Sequence, residues 1–208
     1  MSKNAPLFPI FLKLEGRTCL VVGAGPVGQG KIRSLLDAGA RVRVISPDAT
    51  SQVAEWAKAN LISWQARRFQ KTDFEGALLV VAATSSTEVN YEIFAEAQRE
   101  RVLCNVVDVP DRCDFYYPST VRRGDLQIAI STAGHSPLLA QRLRKELEQD
   151  LPEQLGPWLE EIGDARRLLF RTQPDPARRL EALREISSQA TFENFLRRDS
   201  QSKSKELP

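Results

Sequence analysis

Through its first hundred residues the chain alternates between short apolar runs and longer stretches with apolar residues at helical spacing. The runs 18–23 (TCLVVG), 42–46 (VRVIS), 61–66 (LISWQA), 77–83 (ALLVVAA) and 102–107 (VLCNVV) are rich in β-branched and apolar residues and predict strands. The intervening segments 27–39, 49–60 and 86–101 predict helices. Strands that alternate with helices need crossover connections, so the pattern predicts a parallel sheet covered on both faces, with right-handed crossovers. The near-continuous hydrophobicity of 77–83 fits a strand buried on both sides. The fold class is therefore α/β, with a Rossmann-like parallel sheet.

The pattern changes after Pro110. DFYYPSTVRR and DLQIAIST are strand-like segments separated by Gly124, and they predict a hairpin. From Ser136 onward the chain reads as helical. Ser136 is placed as an N-cap, Pro137 suits the first helical position, and Leu139, Leu143, Leu147 and Leu151 recur every four residues. Further helices are expected around 153–171, 176–188 and 191–198, and the polar ending DSQSKSKELP is expected to be frayed or disordered. The resulting division is a nucleotide-binding domain over 1–113, a hairpin-containing segment over 114–150, a helical C-terminal domain over 151–198 and a disordered tail over 199–208.

Composition narrows the class without changing the fold. A chain of 208 residues, 42% hydrophobic and 27% charged, can bury one ordinary core plus a smaller appendage and reads as soluble and globular. No apolar stretch approaches the roughly 18 residues that cross a bilayer. The opening MSKNAPLFPIFLKLEG has no signal-peptide pattern. A net charge of +2 is too small to argue for nucleic acid. Cys19 and Cys104 lie in apolar runs, where a thiol acts as a small buried hydrophobe; Cys113 falls in a loop. Three cysteines without CxxC spacing fit a reducing cytosol, so a cytoplasmic location is expected. The single histidine, His135, cannot build a His-rich metal site, and no metal ligand is assigned.

Candidate chemistry begins at Gly23-Ala24-Gly25-Pro26-Val27-Gly28, a GxGxxG directly after a predicted strand and before a predicted helix. Glycines there permit a tight turn and close approach of a pyrophosphate, and the helix N-terminus offers free N–H groups and a positive dipole end. A carboxylate should close the second strand roughly 20 residues later. Here that strand ends Ser46-Pro47-Asp48, with Ser46 in the expected place and Asp48 two residues late. Either Ser46 and its backbone bind the ribose, or Asp48 reaches back; Asp48 as an N-cap or turn residue is the plainer alternative. Ser46-Pro47-Asp48 is compatible with the ribose of either NAD or NADP.

The chain resembles the precorrin-2 dehydrogenase family, the siroheme synthase N-terminal type. The matching pieces are LFPIFLKLEGRTCLVVGAGPVGQGK with Lys31 after the glycines, VRVISPD, LLVVAATSSTEVN ending in Asn90, and CNVVDVPDRCDFYYPSTVRRGDLQIAISTAGHSPLLAQRLRKELE. They span about residues 6–150 in order. Departures are Ala24 and Ala133 where the family often has glycine, Gly28 where it usually has alanine, and Gly30 where it has arginine. The resemblance implies NAD-dependent oxidation of precorrin-2 to sirohydrochlorin and, in some members, insertion of ferrous iron. It also implies an intertwined homodimer made by the segment after the nucleotide domain. The cofactor set read from motif and resemblance together is Gly23, Gly25, Pro26, Val27, Ser46, Pro47, Asp48 and Thr84.

Dehydrogenating a reduced tetrapyrrole removes a hydride and a proton, and the protein's task is positioning. Asp108 follows CNVV at the carboxyl end of a predicted parallel strand, where such sheets place their ligand crevice. It is the candidate general base, and in chelation it could receive pyrrole protons; capping the turn at Val109-Pro110 is the alternative. A substrate with many carboxylates also needs donors, and the loop Ser131, Thr132, Ala133, Gly134, His135 and Ser136 supplies hydroxyls and N–H groups at a helix start. Arg122, Arg123, Arg142 and Arg144 are candidates for carboxylate pairing or simply solvated. Two other readings compete: an NAD-binding sensor module without turnover, and a tetrapyrrole-binding chelatase without redox activity.

Overall fold

A computed structural model describes residues 6–205, with side chains described to Gln201. The chain divides into two compact units, the first ending at Tyr117 and the second beginning at Pro118. In the first unit β1 (Thr18–Ala24), β2 (Arg41–Ala49), β3 (Ile62–Gln65), β4 (Leu79–Ala82) and β5 (Leu103–Val106) alternate with α1 (Pro26–Asp37), α2 (Ser51–Lys58) and α3 (Thr87–Glu100). All five strands are parallel, in the order β3-β2-β1-β4-β5. The chain runs outward from β1 to β3, then crosses back to β4. That reversal makes the carboxyl ends of β1 and β4 the switch point, where such sheets open a ligand crevice.

Both faces of the sheet are covered, as its unbroken apolar strands require. Val21, Val44 and Val81 pack with Ile32 and Leu35 of α1 and with Val53 and Trp56 of α2 on one face. Leu20, Ile45, Val80 and Val106 pack with Ile93 and Ala97 of α3 and with Phe74 on the other. Thr50 caps α2 by accepting from the Val53 N–H at 3.3 Å, and Ser86 caps α3 by accepting from Val89 N–H at 3.3 Å.

The second unit contains an antiparallel pair, β6 (Ser119–Arg123) and β7 (Leu126–Ile130), joined by Gly124-Asp125. Four helices follow: α4 (Pro137–Asp150), α5 (Leu155–Thr172), α6 (Pro176–Ile186) and α7 (Gln189–Lys205). Trp158 and Phe192 meet with ring centroids 4.7 Å apart, and Phe192 and Phe195 are buried. Gly156 is needed at the contact between α5 and the hairpin turn, since a Cβ there would lie 3.0 Å from the Arg123 carbonyl carbon.

Four expectations need correction. The strand read from Asp114 begins only at Ser119, because 113–117 turns back to the first sheet: Cys113 bridges Asn105, and Phe115 and Tyr117 pack on the face covered by α1. The second strand continues past Ser46 to Ala49. The segment read as a tail from residue 199 carries the end of α7, which runs to Lys205 with no glycine or proline before that point; residues 206–208 of the expected tail lie outside the described residues. The leucine repeat of α4 does not become a buried stripe, for only Ala140 of that helix is buried.

Candidate functional site

The glycine turn is built on three different needs. Gly23 has φ +101°, and a Cβ on it would lie 2.4 Å from the Ala83 carbonyl oxygen at the end of β4. At Gly28 a Cβ would lie 2.1 Å from the Gly23 carbonyl oxygen, so the small residue lets α1 sit close against the turn. Gly25 has an ordinary φ of −73°, yet nothing comes within 4 Å of where its Cβ would stand. Its surroundings are open.

That opening lies at the start of α1. The first bond into the helix runs from the Gln29 N–H to Gly25 O at 2.8 Å, and no side chain caps the end. Pro26 has no N–H, so the Val27 and Gly28 N–H groups are left as donors, reinforced by the helix dipole. Val27 itself is exposed. The fit to a dinucleotide pyrophosphate is good: an uncapped anion-binding end, beside a glycine that leaves room for close approach.

The late carboxylate of β2 has a structural cause. Val22 pairs with Ile45, but the next pairing is Ala24 with Ala49, so β2 uses four residues where β1 uses two. The bulge contains Ser46, Pro47 and Asp48. The Ser46 hydroxyl accepts from the buried Ala24 N–H at 3.2 Å and donates to the Asp48 carbonyl at 2.6 Å. The Trp64 indole N–H donates to Ser46 O at 3.0 Å. Ser46 is thus buried and engaged in closing the bulge, while Pro47 and the Asp48 side chain are exposed. The cap of α2 is Thr50, which removes the N-cap alternative for Asp48. Thr50 also donates to Gln29 Oε1 at 2.7 Å, tying the starts of α1 and α2.

At the end of β4, Thr84 is locked to Asn90 of α3. The Thr84 hydroxyl lies 2.7 Å from Asn90 Oδ1, and Asn90 Nδ2 donates to Thr84 O at 3.1 Å. Asn90 was legible only as part of a matching segment; its spacing from Ser86, one helical turn, is the signal that it faces back to the strand end.

Asp108 follows β5 with φ +61°, a left-handed conformation that Asp tolerates better than most residues. Its carboxylate is exposed and makes no hydrogen bond or ion pair among the described residues. The turn closes by a backbone bond, Val109 N–H to Val106 O at 3.2 Å, so the capping alternative finds no support. Behind it, the Asn105 amide donates to Phe115 O at 2.8 Å, and the Asp114 carboxylate accepts from the Cys104 N–H at 2.8 Å. These bonds hold 113–117 beside β5. Lys31 of α1 reaches the same place, with Nζ 3.7 Å from the Tyr117 ring centroid. Burial lowers the Lys31 ammonium below its usual range, while the charges of Asp108 and Cys113 act in the other direction. Burial likewise pushes the Cys113 thiol up, and Cys19 and Cys104 are buried as expected.

The remaining predicted residues belong to the second unit. Ala133 and Gly134 take φ +50° and +82°, forming a tight turn before α4. Ser131 Oγ accepts from Ala133 N–H at 3.1 Å, Thr132 Oγ1 from Ser136 N–H at 3.1 Å, and Ser136 Oγ from Leu139 N–H at 3.2 Å. Ser136 caps α4 as expected, and the Ser131 and Thr132 hydroxyls keep their own protons to donate. His135 is exposed. Arg123 is removed from the carboxylate candidates. It is buried and donates to Leu151 O at 2.8 Å and Glu148 O at 2.6 Å, closing the end of α4. Arg142 pairs with Glu146 and Arg144 with Glu148 on the same helix, and Arg122 is exposed.

Comparison with known proteins shows what the whole chain is similar to. Residues 10–119 match a family model described as "Putative NAD(P)-binding", and residues 123–150 match one described as "Sirohaem biosynthesis protein central". A siroheme synthase of Methylococcus capsulatus is 40% identical over 171 residues, 82% of this chain and 36% of that one. Siroheme synthase 2 of Yersinia enterocolitica is 42% identical over 160 residues, 77% of this chain and 34% of that one. The chain thus spans about a third of the length of these curated relatives. The solved structure of SirC, a precorrin-2 dehydrogenase, matches with a TM-score of 0.77 and 26% identity, covering 94% of this chain and 100% of the other.

Proposed function

The chain belongs to the NAD(P)-binding family of siroheme-synthase-type proteins, and we propose that it dehydrogenates precorrin-2 to sirohydrochlorin with NAD as oxidant. The observation that carries this reading is the likeness to the SirC dehydrogenase across both units, rather than across the nucleotide-binding unit alone. A sensor module would need only the first.

The nicotinamide, when bound, supplies the hydride acceptor. The Val27 and Gly28 N–H groups bind the pyrophosphate at the open Gly25 turn, and the Thr84–Asn90 pair braces the end of β4. Asp48, exposed and without a side-chain partner among the described residues, accepts from the ribose hydroxyls. Its charge would repel a 2′-phosphate, which favours NAD over NADP. Asp108 accepts the proton that leaves the macrocycle, since it is a free carboxylate at the carboxyl edge of the sheet. The Ser131, Thr132 and Ser136 hydroxyls, the Gly134 backbone and His135 are proposed contacts for substrate carboxylates.

A homodimer is part of the proposal. Among the described residues the second sheet has two strands, fewer than are stable alone, so its outer edges suit pairing with a second copy. Light scattering at micromolar concentration tests it. The reaction itself is tested by NADH absorbance on adding precorrin-2 and NAD. Wild type should form NADH, and Asp108→Ala should lose about a hundredfold or more in kcat, in the range for a positioned proton acceptor. No NADH from wild type would overturn the reading; a normal Asp108→Ala would overturn only the assignment of the base. Ferrous ion added to sirohydrochlorin tests chelation separately, with iron as substrate.

A further inference from the structure

We propose that Lys31 is an anion anchor of the substrate crevice, holding one carboxylate of the tetrapyrrole next to Asp108. The inference rests on the dehydrogenase reading above for the identity of that carboxylate.

The position of Lys31 on its helix is unusual for a lysine. The inward stripe of α1 is Gly28, Ile32 and Leu35, and Lys31 lies beside it, half-buried, on the side where 113–117 packs. Its ammonium rests 3.7 Å above the Tyr117 ring. An aromatic face attracts the cation but occupies one side of it, and an ammonium carries three donors. No carboxylate forms an ion pair with Lys31 among the described residues, whereas Arg33 on the same helix is paired with Asp37 at 3.0 Å. A half-buried ammonium without a carboxylate partner is a poor structural device, because burial opposes the charge without a compensating pair.

Substrate chemistry supplies the missing partner. Precorrin-2 is a polycarboxylate, and the proposed base is itself a carboxylate. Bringing the macrocycle to Asp108 puts like charges together unless a cation stands beside them. The Tyr117 ring that holds Lys31 belongs to the 113–117 segment, whose Cys113 thiol lies 3.2 Å from the Val106 carbonyl oxygen and 3.3 Å from that of Val109, on either side of Asp108 in the chain, and the ring contact leaves the ammonium free to donate. Tyr117, half-buried against the face covered by α1, keeps the cation in place.

The test uses Lys31→Met, Lys31→Gln and Lys31→Arg in the full chain. Steady-state NADH formation is measured with precorrin-2, and binding is measured by titrating sirohydrochlorin. Lys31→Met and Lys31→Gln should raise the KM for precorrin-2 and the Kd for sirohydrochlorin about tenfold or more, the loss of one charge-assisted hydrogen bond. kcat and the KM for NAD should stay within about twofold, the pattern of lost ground-state binding. Lys31→Arg should recover most of the affinity. Equal rises in the KM for NAD and precorrin-2, or affinities like wild type, would overturn the anchor while leaving the dehydrogenase reading intact. If wild type forms no NADH but binds sirohydrochlorin in a Lys31-dependent way, the dehydrogenase reading falls and the anchor stands. Neither binding nor NADH from wild type sinks both.

Discussion

The Ser46 hydroxyl donates to the carbonyl oxygen of Asp48 at 2.6 Å, closing a bulge in which β2 advances four residues while β1 advances two. One contact divides two roles that the sequence left joined. Ser46 shapes the strand end, and the Asp48 side chain is left facing solvent at the end of β2.

The two residues should therefore fail differently. Asp48→Ala is expected to fold normally, raise the KM for NAD about tenfold and narrow the preference over NADP, as loss of a hydrogen bond to a charged group does. Ser46→Ala should instead lower stability by about 1–2 kcal/mol, because the buried Ala24 N–H loses its acceptor. Steady-state kinetics with both cofactors and urea unfolding separate the outcomes. An unchanged KM for NAD in Asp48→Ala would move ribose recognition elsewhere.

The parallel sheet was legible because hydrophobic periodicity reports burial directly, and strands buried on both faces leave unbroken apolar runs. What sequence could not show was how polar side chains divide their bonds. Asp48 looked two residues late because a bulge adds length without leaving a hydrophobic trace. Arg123 looked like a solvated turn residue, yet it closes the end of α4 at carbonyls 25 and 28 residues away. Residues 114–117 read as the start of a hairpin strand because Phe115 and Tyr117 alternate with Asp114 and Tyr116. The alternation is real, but the face it covers belongs to the first sheet. Lys31 left a trace that could be read: a charge beside the inward stripe of an otherwise amphipathic helix.

Gly23 and Gly25 offer a second contrast. Gly23→Ala meets both a positive φ and a Cβ contact of 2.4 Å to backbone, so it should destabilise the fold by roughly 2 kcal/mol or more. Gly25→Ala meets neither, and its melting temperature should stay close to wild type. Its methyl would instead occupy the space proposed for the pyrophosphate, so NAD affinity should fall about tenfold or more. Calorimetry of unfolding and of NAD binding reads both. A Gly25→Ala protein that binds NAD normally would remove this turn from the cofactor site.

Acid stability should depend on Asp73. Burial alone would raise its carboxyl, but Arg67, donating to Oδ2 at 2.8 Å, the Gln70 N–H at 2.8 Å and the charge of Arg43 hold it below the usual carboxylate range. A folded pKa below the unfolded value of about 3.9 means the stabilisation is complete above that value. It is lost as pH falls through the lower, folded value. Wild-type unfolding free energy should thus decline below about pH 4, and Asp73→Asn should flatten part of that decline while lowering stability at neutral pH by roughly 1–3 kcal/mol. Urea titrations from pH 7 to pH 3 would show it. An acid limb identical in both proteins would assign the decline to other carboxylates.

Ala133 carries the last prediction. It stands at φ +50° with its N–H fixed to Ser131 Oγ, in a turn continued by Gly134 at φ +82°. Alanine there places its Cβ against the following carbonyl, at a cost of roughly 1–2 kcal/mol, whereas glycine has no Cβ to crowd. Glycine also loses more freedom on folding, which offsets part of the gain. Ala133→Gly should therefore stabilise the protein by about 0.5–1 kcal/mol, seen as a shifted urea midpoint with an unchanged slope. The turn's hydrogen bonds involve no Ala133 side-chain atom, so the tetrapyrrole binding proposed for the Ser131–Ser136 loop should change little. A destabilised Ala133→Gly would mean that the methyl makes contacts outweighing the strain. Unchanged stability with weaker sirohydrochlorin binding would mean that the loop needs the rigidity alanine gives it.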